Sequence, residues 1–571
     1  MFLAVVVMAI PAVSTGSSTE EEGPRPIGGL AFIDEIEVTV VNIVAHVTGK
    51  GGRPVSDLKR EDFRVFQDGI EKPITNFQIY TEEVYRSYFD EPDIPAPFLP
   101  TPLVADAQTT RRLRPVYMVL YVDNENLVPI DRNRVLSQAR QFVRDNLHPP
   151  VQMMVVSYQR SLKIVQPFTS DPQVVLAALR GLRDHSGGYP DREAARRELA
   201  DGMQVNRQQQ KTKGGDQVRT GWERGDFYQR IIAFAEEELN DLAFSVDALR
   251  TMISSVGGLE GKKGIIYISN GLPMVPGIDL FVLYSEVFGE QSILTQTSRF
   301  DRTRLFTSLA AAANAHDVSF YTIGAGGLEL VGKADAKYAA PADTQTASMG
   351  ADNYIDPLRF IADSTGGLAI VETNDIAGGL ENVEQDMFSY YSLGYSLNVS
   401  GGDKVHRIKV ELPNHPSYKI RYRRRFVEKS IDTRIQDKVV SGLVFDLDEN
   451  PLMIEMEIGD PAPTASDRWL VPFTLSLPRR NVALLPKGED YVGHITLYIA
   501  ARNVDGEQSD IVRQEHQVRV AAADYENARS ERFAITATLL MNAGRHSVVV
   551  GLLDTITRQT SYLTRQVTVD K

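Results

Sequence analysis

Cysteine is missing from all 571 residues of the chain. Its absence excludes disulfide bonds, thiolate zinc sites, iron–sulfur clusters and cysteine nucleophiles. An excess of basic residues is missing as well, because 61 Lys and Arg stand against 75 Asp and Glu, a formal net charge of −14. Nucleic-acid binding depends on clustered Lys and Arg, so this balance argues against a nucleic-acid partner. The nine His residues never show the spacing of a zinc hydrolase, and no G-x-S-x-G nucleophile elbow occurs.

A hydrophobic run long enough to cross a membrane is also absent. The longest run, residues 2–13, has about 12 residues, whereas a membrane-spanning helix needs roughly 20. An N-terminal run of this length, followed by the small and polar residues 14–18, is typical of a signal peptide. We therefore expect a signal peptide over 1–16, truncated because no basic segment precedes it, and a linker over 17–34. A buried strand is the alternative, but we expect export to the periplasm, the cell envelope or the extracellular space.

Two strand-rich segments lie far apart in the sequence, at residues 35–81 and 391–427. Each is too short to bury a stable core by itself. The rest of the composition, 43% hydrophobic and 24% charged, is that of a globular protein. We therefore expect the two segments to pair into one β-sandwich that flanks or encloses what lies between them, with a linker over 82–114.

Residues 115–390 alternate between predicted strands and helices. The apolar run 116–123 has the length of a buried strand, and helical spacing covers 130–147, 227–256 and 357–364. A last strand is predicted over 367–372, and the polar residues 184–225 predict an insertion on the surface. The alternation favours an α/β doubly wound domain with a mostly parallel sheet, whose ligands bind at the carboxyl ends of the strands.

Residues 433–571 carry alternating apolar and polar residues in several short runs, beginning with 439–447. The runs are separated by turn residues and show no helical periodicity. The segment therefore predicts a C-terminal all-β sandwich without helices.

Several short motifs in this order resemble a known family. The first predicted strand of 115–390 ends in YVDNENL, a later one lies in GLEGKKGIIYISNGLPM, and another reads VSFYTIGAGG. Upstream, the lead-in contains Val55, Asp57, Asp62 and Asp68-Gly69 in the pattern V-x-D-L-x-x-x-D-F-x-V-x-x-D-G. Together these resemble the von Willebrand factor type A (VWFA) domain, specifically the exported, VWFA-related proteins of the acidobacterial type, over about residues 35–426.

This resemblance implies a metal-ion-dependent adhesion site, in which Mg²⁺ or another divalent cation is held by oxygen ligands. The family pattern D-x-S-x-S becomes Asp123, Glu125 and Leu127 here, and the Asp after the fourth strand becomes Asn270. The Thr of the second loop falls in Gly187-Gly188-Tyr189. Candidate metal ligands in this degenerate site are therefore Asp123, Glu125 and Asn270, and a vestigial site that binds no metal is the other interpretation.

The function that this resemblance implies is non-enzymatic protein–protein interaction or adhesion at the end of the sheet, with weak or absent dependence on divalent cations. A protein partner is expected, within an envelope or membrane-protein complex, and no small-molecule substrate. One alternative is a structural subunit of an envelope assembly with a vestigial metal site; another is a hydrolase that uses the carboxylates of Asp123 and Glu125. The candidate binding-face residues are Asn124, Asn126, Tyr189, Ser269 and Gly271.

Overall fold

The protein is described by a computed structural model that covers residues 38–81, 115–184, 187–211, 224–328, 344–398, 402–447, 449–465, 468–528 and 530–570. Within these ranges the chain has a mixed α/β fold with several sheets. The expected signal peptide and the linkers over 17–34 and 82–114 lie outside the described residues. None of the described helices combines the length and the apolar character that crossing a membrane requires.

Strands β1 to β4 form the first described segment. β2 and β3 make a tight hairpin at Asp68 and Gly69, whose φ values of 51° and 84° are both positive. Asp and Gly are the residue types that tolerate these angles, so the Asp-Gly pair determines where the chain turns. The strands are β1 (Val38–Thr48), β2 (Arg64–Gln67), β3 (Ile70–Lys72) and β4 (Asn76–Tyr80).

The next six strands form one sheet in the order β10-β9-β8-β5-β6-β7. All neighbours run parallel except β7, which is antiparallel to β6. The last strand, predicted over 367–372, is reduced to two residues. The six strands are β5 (Val116–Asp123), β6 (Val151–Gln159), β7 (Ser161–Thr169), β8 (Lys262–Ser269), β9 (Val318–Gly324) and β10 (Ala369–Ile370).

Helices cover both faces of this sheet. One apolar core contains Val135 and Leu380, and a second core contains Val246 and Leu309. Because β5 lies between these cores, its residues are apolar in an unbroken run rather than in alternation. The helices are α1 (Pro129–Asn146), α2 (Pro172–Gly181), α3 (Tyr189–Lys211), α4 (Arg224–Gly257), α5 (Ile278–Phe288), α6 (Thr297–Phe300), α7 (Thr303–Ala315), α8 (Thr344–Thr365) and α9 (Ile376–Phe388).

The polar segment 184–225 differs from its prediction as a surface insertion. Much of it is α3, and Leu199, Ala200 and Met203 of this helix are buried in a core shared with α4 and α5. These apolar residues are surrounded by Arg, Glu and Gln, so the average polarity of the segment conceals its buried face. α8 also extends well beyond the helix predicted over 357–364.

Strands β11 to β14 complete two sheets with the strands of the first described segment, β1 to β4. β11 lies between β1 and β4, and β12 lies between β2 and β14, with antiparallel pairing throughout. Both four-stranded sheets contribute to one core, in which Val65 and Val410 pack with Tyr391 and Tyr395. Each segment therefore supplies strands that the other needs. The strands are β11 (Tyr390–Asn398), β12 (Lys404–Glu411), β13 (Lys419–Tyr422) and β14 (Arg425–Glu428).

The C-terminal region begins with a helix, α10 (Ile431–Phe445), and continues as two sheets around a common core. α10 covers the outer face of one sheet, where it packs against Tyr498 and Tyr562. A short helix, α11 (Tyr525–Ala528), lies between two strands. The strands are β15 (Glu455–Ile458), β16 (Ala462–Pro463), β17 (Trp469–Pro478), β18 (Leu485–Lys487), β19 (Asp490–Asn503), β20 (Val512–Ala521), β21 (Arg532–Met541), β22 (Gly544–Asp554) and β23 (Thr560–Val569).

The strand predicted over 439–447 is wrong, as is the prediction that the C-terminal region has no helix. Val439 and Leu443, with Ile435 one turn earlier, are spaced four residues apart and form the buried face of α10. Ser430 caps this helix by accepting a hydrogen bond from the Thr433 backbone N–H at 3.1 Å. The β-branched residues favour a strand locally, but packing against the sheet selects the helix.

Candidate functional site at the carboxyl edge of the parallel sheet

Three loops meet at the carboxyl edge of the parallel sheet: the loop after β5, the loop after β8 and the loop before α3. β5 ends at Asp123 and continues into a helical turn, Asn124–Asn126, while β8 ends at Ser269. The Asn270 N–H donates to the Asn126 carbonyl oxygen at 2.9 Å, which joins the two loops. Parallel neighbours end at the same edge, so this convergence follows from the pairing of β5 with β8.

Asp123 is buried, with 1% of its surface exposed. Its carboxylate accepts hydrogen bonds from the Asn126 N–H at 3.3 Å, from Asn126 Nδ2 at 2.9 Å and from the Tyr267 hydroxyl. Burial raises the pKa of Asp123 to about 6, although the hydrogen bonds from Tyr267 and Asn126 favour the charged form. Asp123 therefore holds the loop after β5 in place through internal partners.

Glu125 is 5% exposed and is covered by two glycines of the loop before α3. A Cβ atom at Gly187 would lie 1.9 Å from the Asn124 carbonyl oxygen, and one at Gly188 would lie 2.1 Å from Glu125 Oε1. Position 187 therefore requires glycine, because its neighbour is backbone, whereas a Cβ at position 188 would displace the end of the Glu125 side chain. Among the described residues, Glu125 Oε2 has no hydrogen-bond partner.

Asn270 connects the edge to the start of α1. Its Oδ1 accepts from the Val128 N–H at 2.9 Å, and its Nδ2 donates to Asp131 Oδ2 at 2.9 Å. Both ends of the amide are thus engaged, and the side chain fixes the position of α1 relative to β8.

The candidate binding-face residues lie mostly inside the protein. Asn124, Asn126, Ser269 and Gly271 are buried, and Tyr189 is half-buried. Asn124 Nδ2 donates to Ser157 Oγ at 2.8 Å, and Asn126 Nδ2 donates to Ser245 Oγ at 3.1 Å. These amides hold the edge together, so a partner that approaches it meets other residues first.

Those other residues belong to α3, whose charged residues were not among the sequence candidates. Arg192 forms an ion pair with Asp241 at 3.0 Å and donates to Asn126 Oδ1 at 2.6 Å. It also lies 3.4 Å from the Glu125 carbonyl oxygen. Burial lowers the pKa of Arg192, but Glu238 and other neighbours outweigh this effect and raise it overall.

Arg196, one turn further along α3, makes a second set of ion pairs. Its Nη1 lies 2.6 Å from Asp279 Oδ2, and its Nε lies 3.0 Å from Glu193 Oε2. Burial lowers its pKa, but these two carboxylates raise it above the ordinary arginine value overall. The spacing of Arg192 and Arg196 by four residues was the sequence signal for a shared helix face.

Glu238 of α4, which is 2% exposed, interacts with the charge of Arg192. It accepts hydrogen bonds from the Gly277 N–H at 2.9 Å and from the Tyr354 hydroxyl. Burial raises the pKa of Glu238, and the charge of Arg192 opposes that increase. Two arginines thus attach α3 to its neighbours, Arg192 through Asp241 of α4 and Arg196 through Asp279 of α5.

The residues at this edge do not fit a divalent cation. Mg²⁺ requires about six oxygen ligands in octahedral geometry, yet the Asp123 oxygens and Asn270 Oδ1 accept hydrogen bonds from the protein. Leu127 offers no side-chain oxygen, and the Glu125 carboxylate, whose Oε2 has no hydrogen-bond partner among the described residues, cannot fill an octahedral shell by itself. Across the described ranges, no group of three or more His, Asp or Glu side chains is placed to hold one metal ion.

Comparisons with known proteins give distant similarities. No family model and no curated protein matches the chain. An aerotolerance-related membrane protein from Bacteroides fragilis with multiple mutations to serine is similar at 10% identity, with a TM-score of 0.22, 48% of this chain covered and 98% of that one. The vWF domain of the type V pili tip protein Mfa5 from Porphyromonas gingivalis is similar at 14% identity and a TM-score of 0.24, with 48% and 95% covered. Three N-terminal domains of Mfa5 are similar at 10% identity and a TM-score of 0.23, with 93% and 78% covered.

Proposed function

We propose that this chain is an exported, non-enzymatic protein that binds a protein partner at the carboxyl edge of its parallel sheet, without a divalent cation. The observation that carries the proposal is the attachment of α3 over that edge by Arg192 and Arg196. Because α3 is fixed there by two partly buried ion pairs, its outer face is ordered before a partner arrives. Preorganisation of this kind lowers the entropy cost of association.

The outer face of α3 has a defined chemical character. It presents three acidic side chains, two alanines, a proline and a valine to solvent over the residues whose burial is described. An acidic face favours a partner with a basic surface, because complementary charge speeds encounter and excludes wrong partners. The exposed residues of the described part of α3 are Pro190, Asp191, Ala194, Ala195, Glu198, Asp201 and Val205.

Burial of the two carboxylates favours interaction over hydrolysis. A catalytic acid or base must come within hydrogen-bond distance of its substrate. Asp123 and Glu125 are 1% and 5% exposed and lie beneath the glycine loop that precedes α3. The hydrolase alternative would therefore require α3 to leave the edge.

The absence of cysteine makes a clean crosslinking experiment possible. Ala195→Cys on α3, coupled to a photoactivatable maleimide, would report a partner at the proposed face. Ala177→Cys on α2 is the matched control, since it is also an exposed alanine on a helix of the same domain. We expect a specific crosslinked protein from envelope fractions of the source cells with the α3 probe alone, unchanged by EDTA.

A third probe tests the structural-subunit alternative. The probe is Ala534→Cys, labelled in the same way. Ala534 is exposed on β21, which pairs with β17 in the described sheets. A crosslinked partner at this strand and none at α3 would favour assembly through a sheet edge and contradict the proposal. An α3 crosslink that disappears in EDTA would contradict its cation independence.

A further inference from the structure

Arg192 interacts with three carboxylates, not with one ion-pair partner alone. It bonds to Asp241 and Asn126, and its charge also acts on Glu238 and Asp123. Its side chain is 13% exposed and Glu238 and Asp123 are buried, so solvent screens its interactions with these two carboxylates little, whereas Asp241 is 38% exposed. Buried carboxylates destabilise a fold unless a positive charge compensates them.

We propose that the Arg192 guanidinium is the resident cation of the carboxyl edge. It supplies from within the chain the positive charge that a bound divalent ion would supply, and it connects α3 to the loop after β5. This inference goes beyond the proposed function, because it holds whichever partner binds the outer face of α3.

Arginine suits this position better than lysine would. Its planar guanidinium reaches Asp241 through Nη1 and Asn126 Oδ1 through Nη2, at 3.0 and 2.6 Å. A single guanidinium thus joins α4 to the loop after β5, with the Glu125 carbonyl oxygen as a third acceptor at 3.4 Å. A lysine ammonium would keep the charge but lose this forked geometry.

The glycine loop makes the position of Arg192 possible. Gly187 and Gly188 lie against the backbone of Asn124 and the side chain of Glu125 with no room for a Cβ atom. α3 therefore begins directly beside the edge, and its first turn places Arg192 over Asn126.

The test uses thermal unfolding of the full chain in EDTA, Mg²⁺ and Mn²⁺, with the variants Arg192→Met, Arg192→Lys and Arg197→Met. Arg197 is the matched control, because it lies on the same helix and pairs with Glu193 at 3.0 Å, with 35% of its side chain exposed. We expect the wild-type midpoint to be the same in EDTA and in either cation. Arg192→Met should lower the midpoint by roughly 5 to 10 °C, Arg197→Met should change it by less than about 2 °C, and Arg192→Lys should recover part of the loss.

Two results would overturn the proposal. One is a loss in Arg192→Met no greater than in Arg197→Met, or no recovery in Arg192→Lys. The other is binding of Mn²⁺ to the wild type, measured by electron paramagnetic resonance, that Asp123→Asn abolishes. The Mn²⁺ measurement keeps the proposal testable even where Arg192→Met does not fold, and absence of binding at millimolar Mn²⁺ supports it.

Discussion

Arg421 on β13 donates two parallel hydrogen bonds to Asp386 on α9, with Nη1–Oδ2 and Nη2–Oδ1 distances of 2.9 and 2.7 Å. Asp386 is buried, and His46 of β1 lies 3.4 Å from its carboxylate. Lys262 of β8 donates to the Asp386 carbonyl oxygen. One carboxylate thus connects the paired strand segments to the α/β domain.

Asp386→Asn should destabilise the protein strongly. The substitution leaves Arg421, whose side chain is 25% exposed, without its buried counterion. Breaking a buried pair from one side costs about 3 to 5 kcal/mol, which is the upper bound for this partly buried pair. Urea unfolding of the full chain measures the loss. Glu71→Gln is the control, because its pair with Arg64 is half exposed, at 49% and 48%, and should contribute far less to stability. Equal losses in the two variants would contradict this role for Asp386.

Asp123 should make stability depend on pH. Its folded pKa of about 6 lies above the ordinary value of 3.8, so between these values the folded state binds the proton more tightly than the unfolded state. The contribution of Asp123 to stability therefore falls as pH rises from about 4 to above 6. We expect Asp123→Asn to remove this dependence. The unfolding free energy of the variant minus that of the wild type should therefore be more favourable at pH 7 than at pH 4, by on the order of 2 kcal/mol.

The control for this measurement is Asp201→Asn, which removes an exposed carboxylate of α3. Denaturant unfolding of all three proteins from pH 4 to pH 8 gives the comparison. A difference between wild type and Asp123→Asn that stays constant across this range would show that Asp123 does not titrate differently in the two states.

Gly187→Ala should displace the loop before α3. The new Cβ would lie 1.9 Å from the Asn124 carbonyl oxygen, a backbone atom that cannot rotate away. We expect a loss of about 1 to 3 kcal/mol in unfolding free energy, together with faster hydrogen exchange in α3. Gly225→Ala serves as the control, since a Cβ there meets nothing within 4 Å. Unchanged exchange in α3 would argue against the close contact.

Val439→Ala should weaken the attachment of α10. Val439 is fully buried between α10 and the C-terminal sheet, whereas its neighbour Val440 is half-buried. We expect a loss of about 1 to 3 kcal/mol for Val439→Ala, and a smaller one for Val440→Ala, because fewer contacts are removed. Thermal unfolding measures both, and similar losses at the two positions would contradict the helical face described here.

Much of the parallel sheet could be predicted from the sequence. The unbroken apolar run 116–123 indicates a strand buried on both faces, and β5 occupies these positions. Local pattern is sufficient for this strand, since it depends on the residues of one element. Asp123 and Asn270 were expected together because of the resemblance to the VWFA domain, and their loops do meet at the carboxyl edge.

The helix α10 shows where local pattern failed. Its residues include Val439, Val440 and Val444, which favour a strand by propensity. The apolar surface of the neighbouring sheet, with Tyr498 and Tyr562, selects a helix that can cover it. The composition of one segment carries no information about the surface that it will cover.

The sequence by itself determined which side chains stand at the ends of β5 and β8, because strand length and the parallel arrangement follow from runs of buried residues. Only the tertiary structure decided what those side chains do. Arg192 comes from a polar segment later in the chain, and it reaches Asn126 because α3 packs over the edge through Leu199 and Met203. The charge that meets Asp123 and Glu238 is therefore set by helix packing, which depends on shape and burial across distant segments.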